Sequence, residues 1–421
     1  MRPRLINTSD EFSGIRQHRP DMQLLLFMAI LVLLGLVVIY AISPALIARV
    51  NTGGFGLDDN YFLYRQLGFL TAGVAAFIAA FLVPLGWWRR NAGKLMVIGI
   101  VVSMLPFVLQ ATPLASCVNG ACRWIDIGFL TFQPAEFMKL ALVVFLAGFL
   151  ATRINQGKLN DFQQTIVPVG LLLVTVGVIV VGLQKDLGTG ITIFGVVLSI
   201  LFSAGLKLKY FLAVGVAAVI LGIVFIAVAP HRIERVMTFF DHSSVTDEGM
   251  GYHINQALIA VGSGGLTGKG LAQSIQAFGY LPQAANDSIF AILAEKFGFL
   301  GTTAVLAVFG GLFFRMLKIM EHTTALYPRL IVAGAFGWVF SHTVVNIGAM
   351  LGLFPLTGIT LPFVSLGGTS LLCMLAVLGM TFQISRYTTF SQIQEGGSIN
   401  EDRRRGRGIG RTRKPSFSRT T

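Results

Sequence analysis

In the stretch LPQAANDSIFAILAEKFGFLG, residues 281 to 301, an apolar run carries Asp287 at its start and Glu295 and Lys296 further in. At 1.5 Å per residue that pair lies about 12 Å beyond Asp287 along a helix axis. A second run, TFQPAEFMKLALVVF, has Pro134 in a first-turn position and Glu136 and Lys139 three apart on one helical face. A third ends at Gln184, Lys185 and Asp186. A carboxylate at the edge of an apolar medium can take a proton from an attacking hydroxyl, and cations beside it can offset charge on a leaving group. Purely structural uses stay open: Glu136 with Lys139 and Glu295 with Lys296 could be neutralised pairs that fix packing, and Asp287 could be a helix N-cap. Against a plain cap, Asn286 and Ser288 flank it as equally good caps, and Asp287, Ala291, Ala294 and Gly298 share one small-residue face.

The elements that must position these residues are membrane helices. Of 421 residues 54% are hydrophobic and 12% charged, with a mean hydropathy of +0.74, far from a soluble domain. Runs of about 20 apolar residues predict an all-α integral membrane protein with ten helices. They fall over 22–46, 66–84, 95–112, 134–152, 164–184, 187–205, 210–229, 287–314, 330–352 and 358–385. The division between the fifth and sixth rests on reading QKDLGTG as a turn. The first run is too long for a signal-peptide core and no cleavage site follows it, so it reads as a spanning helix.

The net charge of +13 is placed on one side. Most Lys and Arg lie at the N-terminus, in WWRRNAGK, ATRINQGKLN and LKLKY, between Arg315 and Arg329, and from Arg386 onward. The positive-inside rule then puts both termini in the cytoplasm. Residues 1–21 form a cytoplasmic segment, 22–386 the membrane domain, and 387–421 a basic, disordered tail drawn to anionic lipid rather than to nucleic acid. The beginnings of 134–152 and 287–314 and the end of 164–184 share the outer side, so three polar clusters meet on one membrane face. Ionisable groups at such depth mark a functional site by default.

The outer loops hold the remaining candidates. Loop 230–286 is long, and its GYHINQALIAVGSGGLTGKG reads as an amphipathic helix followed by a glycine-rich turn. That turn is not a P-loop, because Ser263 stands five before Gly268 and Gly270 follows Lys269. It is either a phosphate-cradling nest with Lys269 or a plain tight turn. Residues 346–372, NIGAMLGLFPLTGITLPFVSLGGTSLL, place Pro355, Gly358, Pro362, Gly367 and Gly368 where two helices join, and backbone broken at membrane depth must line protein or a wet cavity. NGACRWIDIG supplies Arg123, Trp124 and Asp126. Cys117 and Cys122 are a disulfide or two free thiols, and Cys373 is a buried helix residue. The six histidines show no metal-ligand spacing.

Taken in order, GACRWIDIG, FQPAEFMKLAL, QKDLGTG, GYHINQALIAVGSGGLTGKG, FGYLPQAANDSIFAILAEKFGFLG and NIGAMLGLFPLTGITLPFVSLGGTSLL resemble the signatures of the SEDS (FtsW/RodA-type) family of peptidoglycan glycosyltransferases. The resemblance runs from about residue 22 to 386. YFLYRQLGFL and the basic tail are more similar to its division branch than to its elongation branch. It implies the SEDS membrane fold and polymerisation of lipid II at the outer face of the bacterial cytoplasmic membrane, in septal wall synthesis. It also implies a class B penicillin-binding protein and other divisome proteins as partners. By motif it assigns catalysis to Asp287 and substrate contacts to Glu136, Lys139, Asp186, Ser365, Gly367 and Gly368. Arg123 and Lys269 add outer-side cations, Gln133, Ser263, Gly264 and Gly265 join the expected substrate contacts, and Glu295, Lys296, Trp124 and Asn346 are expected in support. No protein-held metal or other cofactor is implied, although Mg²⁺ or Mn²⁺ could accompany the pyrophosphate. The chain departs from the family at Ala285, Asn286 and Ser288 around the aspartate, and at Lys185, Leu366 and Thr131. Thr131 removes an arginine that some members have. A flippase would instead spread polar groups through the midplane toward both faces, and a scaffold would leave the outer cluster unexplained.

Overall fold

A computed structural model describes residues 19–51, 56–118, 121–126, 128, 131–227, 233, 250–271 and 273–388. Residues 1–18, the tail beyond Thr388 and most of 228–249 lie outside it, and with them the expectations for the termini. The helices are α1 (Met22–Asn51), α2 (Tyr61–Leu82), α3 (Leu85–Val108), α4 (Pro134–Asn155), α5 (Val167–Gly177), α6 (Leu187–Ser203), α7 (Leu208–Ala227), α8 (Met250–Ser263), α9 (Ile289–His322), α10 (Leu326–Met350) and α11 (Thr369–Ile384). π-helical turns lengthen α5 at both ends into one segment, Phe162–Leu183. Among the described residues nine helices are long and apolar enough to cross a membrane, and α6 is a shorter apolar tenth. Of QKDLGTG, residues 184–186 connect two of them and the rest opens α6.

Three expected boundaries move for identifiable reasons. WWRRNAGK is not a loop but the first turns of α3, which starts directly after Pro84 because the proline fixes an extended N-cap. Arg89 there reaches over the Tyr327 ring, 5.5 Å from its centroid. The run 358–385 is helical only from Thr369, since Pro355, Gly358 and Pro362 hold 351–368 irregular. The outer loop before α4 contains strands β1 (Ala115–Val118), β2 (Ala121–Asp126) and β3 (Thr131–Phe132), paired antiparallel in that order. Cys117 and Cys122 form a disulfide across the first pair.

Helices α4, α10 and α11 are buried over most of their length, whereas α7 buries only Val214. Small residues set the closest approaches: a Cβ on Gly337 of α10 would stand 2.8 Å from the Gly195 carbonyl oxygen of α6. With apolar lipid outside, such close packing takes the place of the hydrophobic effect between helices.

Helix α9 is broken at Gly298, whose φ of 64° and ψ of −165° only glycine adopts readily. The turn after α8 fills the break. The amides of Lys269 and Gly270 donate to the carbonyls of Glu295 and Lys296, and those of Phe299 and Leu300 to Gly265 and Leu266, at 2.8–3.0 Å. Both halves of the broken ladder are thus satisfied by one loop, as a bilayer demands. A Cβ on Gly264 would lie 1.9 Å from the Ala294 carbonyl oxygen, so the backbone itself needs glycine there.

Candidate active site

Four helices begin at the same place. Gln133, before α4, donates from its backbone amide to Thr369 Oγ1 at the start of α11 and from Nε2 to Asp186 Oδ2 at the start of α6. Asp186 caps α6, accepting from Thr189 N and Oγ1 at 3.0 and 2.9 Å. The irregular stretch 351–368 joins these to α9. The Leu366 amide donates to the Ala285 carbonyl, and a Cβ on Gly358 would lie 3.9 Å from Asp287 Oδ2. Ser365 closes that stretch by accepting from the Leu361 amide at Oγ and from Gln66 Nε2 at its carbonyl. Gly368, with φ 48°, is the N-cap of α11, and the Gly367 carbonyl accepts its first-turn bond from Ser370. Four neighbouring helix N-termini present partial positive charge, a favourable setting for a phosphate or pyrophosphate.

Asp287 is buried at this convergence, in the position before the N-cap of α9. The N-cap itself is Ser288, whose hydroxyl is 2.6 Å from His253 Nε2 of α8 and donates to the Pro282 carbonyl. Asp287 thus stands one position outside the N-cap, whose own side chain makes no capping hydrogen bond. Asn346 of α10 fixes the aspartate's backbone: its Nδ2 donates to the carbonyls of Asp287 (2.6 Å) and Ile359 (2.7 Å).

One turn away from Asn346 on α10, His342 holds a second cluster. Lys139 Nζ is 2.8 Å from both Glu136 Oε1 and His342 Nε2, and lies over the Trp338 ring at 4.9 Å. Lys139 is fully buried, and the Glu136–Lys139 pair forms as its i, i+3 spacing allows.

The third group is engaged within the chain. Glu295 does not pair with Lys296, because successive helical residues point about 100° apart. It takes bonds from Lys269 Nζ, Ser274 Oγ and the Ile275 and Gln276 amides, while Lys296 Nζ donates to the Leu271 carbonyl. Ser263 bonds within its own helix to Ala260. Together with the amides of Gly268, Lys269 and Gly270, this places Gly264, Gly265, Lys269, Glu295 and Lys296 at the mended break in α9. The nest considered for GSGGLTGKG has those amides already engaged with carbonyls.

Of the remaining expected residues, Arg123 on β2 donates to the carbonyls of Gln184 (3.2 Å) and Lys185 (2.6 Å), the last turn before Asp186, and Trp124 lies beside it, paired across the strands with Ser116. Lys185 is exposed with φ 55°, next to the cap. Sequence reasoning missed Arg65. It lies one turn into α2, donates from Nη2 to Thr131 Oγ1 at 3.2 Å, and has Phe69 beneath it at 5.9 Å. A guanidinium from another helix thus stands at Thr131, the position for which the resemblance implies an arginine. The available signal was a charged residue inside YFLYRQLGFL, overlooked because the span was expected to begin at residue 66. His342 was missed as well, since a lone histidine in an apolar run carries no spacing.

Among the described residues no group of three or more His, Cys, Asp or Glu could hold a metal ion. The arrangement offers a buried carboxylate beside an anion-favouring helix convergence, with arginines from α2 and β2 at its rim.

Comparison with known proteins agrees along almost the whole membrane domain. Residues 22–390 match the FtsW/RodA/SpoVE family, described as "Cell cycle protein". Stage V sporulation protein E of Bacillus subtilis is 36% identical over 378 residues, covering 89% of this chain and 99% of that one. The probable peptidoglycan glycosyltransferase FtsW of Nitrosomonas europaea is 34% identical over 358 residues, covering 84% and 90%. A solved structure described as "Structural coordination of polymerization and crosslinking by a peptidoglycan synthase complex" superposes with a TM-score of 0.69 at 27% identity, covering 87% of this chain and 98% of that one. RodA of Thermus thermophilus gives 0.63 at 25%, covering 88% and 98%. With its motifs, its helix convergence and its broken α9 in place, the chain belongs to the FtsW/RodA/SpoVE family.

Proposed function

We propose that this chain is a peptidoglycan glycosyltransferase that polymerises lipid II into glycan strands at the outer face of the cytoplasmic membrane during septal wall synthesis. The observation that carries the reading is Asp287, a buried carboxylate held at the meeting point of four helix N-termini. Relatives named as peptidoglycan glycosyltransferases, 34% identical over most of the chain, support it.

The reaction is a single inverting displacement. The 4-hydroxyl of a GlcNAc attacks the anomeric carbon of a MurNAc, Asp287 accepts the hydroxyl proton, and the bond to undecaprenyl pyrophosphate breaks. Charge grows on the departing pyrophosphate, which the helix N-termini, Arg65 and Arg123 are suited to offset. Lys139 bridges Glu136 of α4 and His342 of α10 and adds a buried cation to the site's support. A Mg²⁺ or Mn²⁺ ion accompanying the pyrophosphate would draw on Asp287 or Asp186 together with substrate oxygens.

Charge placement supports cytoplasmic termini, which turns the Asp287 end outward. A class B penicillin-binding protein supplies cross-linking, a partnership supported by the synthase complex that this fold resembles. The test is polymerisation of purified lipid II by the protein with that partner. Asp287→Asn is expected to lose at least about 100-fold in rate, the lower range for a lost general base. Unchanged strand formation in that variant would remove Asp287 from the base role.

A further inference from the structure

At the end of the bundle opposite Asp287, α2 stops at Leu82 and turns through Val83 and Pro84 into α3, while α11 runs out through the 3₁₀ turn Ser385–Tyr387. These three ends enclose a cavity of about 590 Å³, inside the roughly 300–1,000 Å³ range of small-ligand sites. Its lining has two characters. Phe81, Leu82 and Trp87 make an apolar wall, of which Leu82 and Trp87 are exposed. Arg90 and Arg386, from different parts of the chain, bring two positive charges, and among the described residues no acidic side chain lines the cavity. Arg386 lies over the Phe81 ring at 5.6 Å, which ties one of those charges to the apolar wall.

Gln383 supplies an independent observation. It is buried, and its Nε2 donates to the Val83 carbonyl at 3.1 Å. Its Oε1 has no hydrogen-bond partner among the described residues. A buried acceptor beside two guanidinium groups asks for a ligand that carries both an anion and a hydroxyl donor.

We propose that this cavity binds one anionic phospholipid with a hydroxyl-bearing headgroup, of the phosphatidylglycerol type. The phosphate pairs with Arg90 and Arg386, a headgroup hydroxyl donates to Gln383 Oε1, and an acyl chain follows Leu82 and Trp87 into the bilayer. Basic pockets between membrane helices suit such headgroups, and each basic residue contributes about fivefold in affinity. The site differs from the general attraction of the basic tail for membrane surfaces, because it has shape and a specific acceptor. The tail's own run RRRGRGIGRTRK is a poor occupant, since Arg90 and Arg386 repel it.

Native mass spectrometry of the full-length protein in detergent, titrated with defined lipids, tests this. One molecule of phosphatidylglycerol is expected to be retained at least about tenfold more tightly than phosphatidylcholine, with glycerol phosphate and inorganic phosphate failing to compete. Arg90→Gln, at an exposed position that leaves folding intact, is expected to weaken retention about fivefold, and Arg90→Gln with Arg386→Gln about 25-fold. Gln383→Leu is expected to erase the preference for phosphatidylglycerol over phosphatidic acid while leaving the preference over phosphatidylcholine. Equal retention of anionic and zwitterionic lipid, or retention indifferent to Arg90→Gln, overturns the proposal. So does competition by free phosphate, or tighter lipid binding after deletion of residues 391–421, which would make the tail the occupant.

Discussion

Individual side chains divide sharply between chemistry and architecture. Lys139 and Glu136 form a buried pair, and such a pair loses about 3–5 kcal/mol when one partner is removed, because the other charge is stranded. Lys139→Met is therefore expected to cut the yield of folded protein, with the double variant Glu136→Gln and Lys139→Met restoring it, measured by thermal unfolding in detergent. His253 makes a pH prediction. Burial lowers its pKa to about 4 from the ordinary 6.5, so the folded protein keeps it neutral where an unfolded chain would be charged. The stability it supports is complete above about pH 6.5 and falls as the pH drops toward 4. The melting temperature of the wild type should decline over that window, and His253→Gln should flatten the decline. Asp287 and the Glu136–Lys139 pair were legible in the sequence because charge inside apolar runs is conspicuous. The partners of Glu295 and Lys296 were not, since adjacency in the chain suggests a pair that helix geometry forbids.

Among the elements, the break in α9 makes the strongest demand on sequence. Gly298→Ala places a side chain in a conformation reserved for glycine and drives a Cβ to within 2.3 Å of the Gly268 nitrogen. A loss of roughly 2–5 kcal/mol is expected, read as a lower unfolding midpoint or failure to fold. An alanine at Gly310, where a Cβ meets nothing within 4 Å, should cost little and serves as the control. Helix existence could be read from hydropathy almost everywhere. What could not be read was that GSGGLTGKG belongs to α9: a glycine-rich turn looks alike whether it cradles a phosphate or a helix carbonyl. The start of α3 was hidden for a related reason, because Trp87, Trp88, Arg89 and Arg90 look like a loop until their aromatic and aliphatic parts are seen packing at a helix end.

For the whole molecule, the irregular stretch 351–368 is the hub on which distant parts of the chain converge. Gln66, Ala285, Asn346 and the α6 N-terminus all touch it, so the residues of the site come from positions nearly 300 apart in sequence. Such assembly is invisible to pattern reading and follows only from the packing of broken backbone against glycine and asparagine. If polymerisation is the activity of the membrane domain, deletion of residues 391–421 should leave lipid II polymerisation intact, assayed with the purified protein and its transpeptidase partner. The mended break in α9 bears on biosynthesis as well. Residues 264–270 leave the ribosome ahead of the 294–300 stretch they bind, only about 30 positions later, so the contact is local in the chain. Local contacts close early. The loop can therefore wait in water with its amides hydrated and receive α9 as that helix arrives, so that the kinked helix need never face lipid with its ladder open.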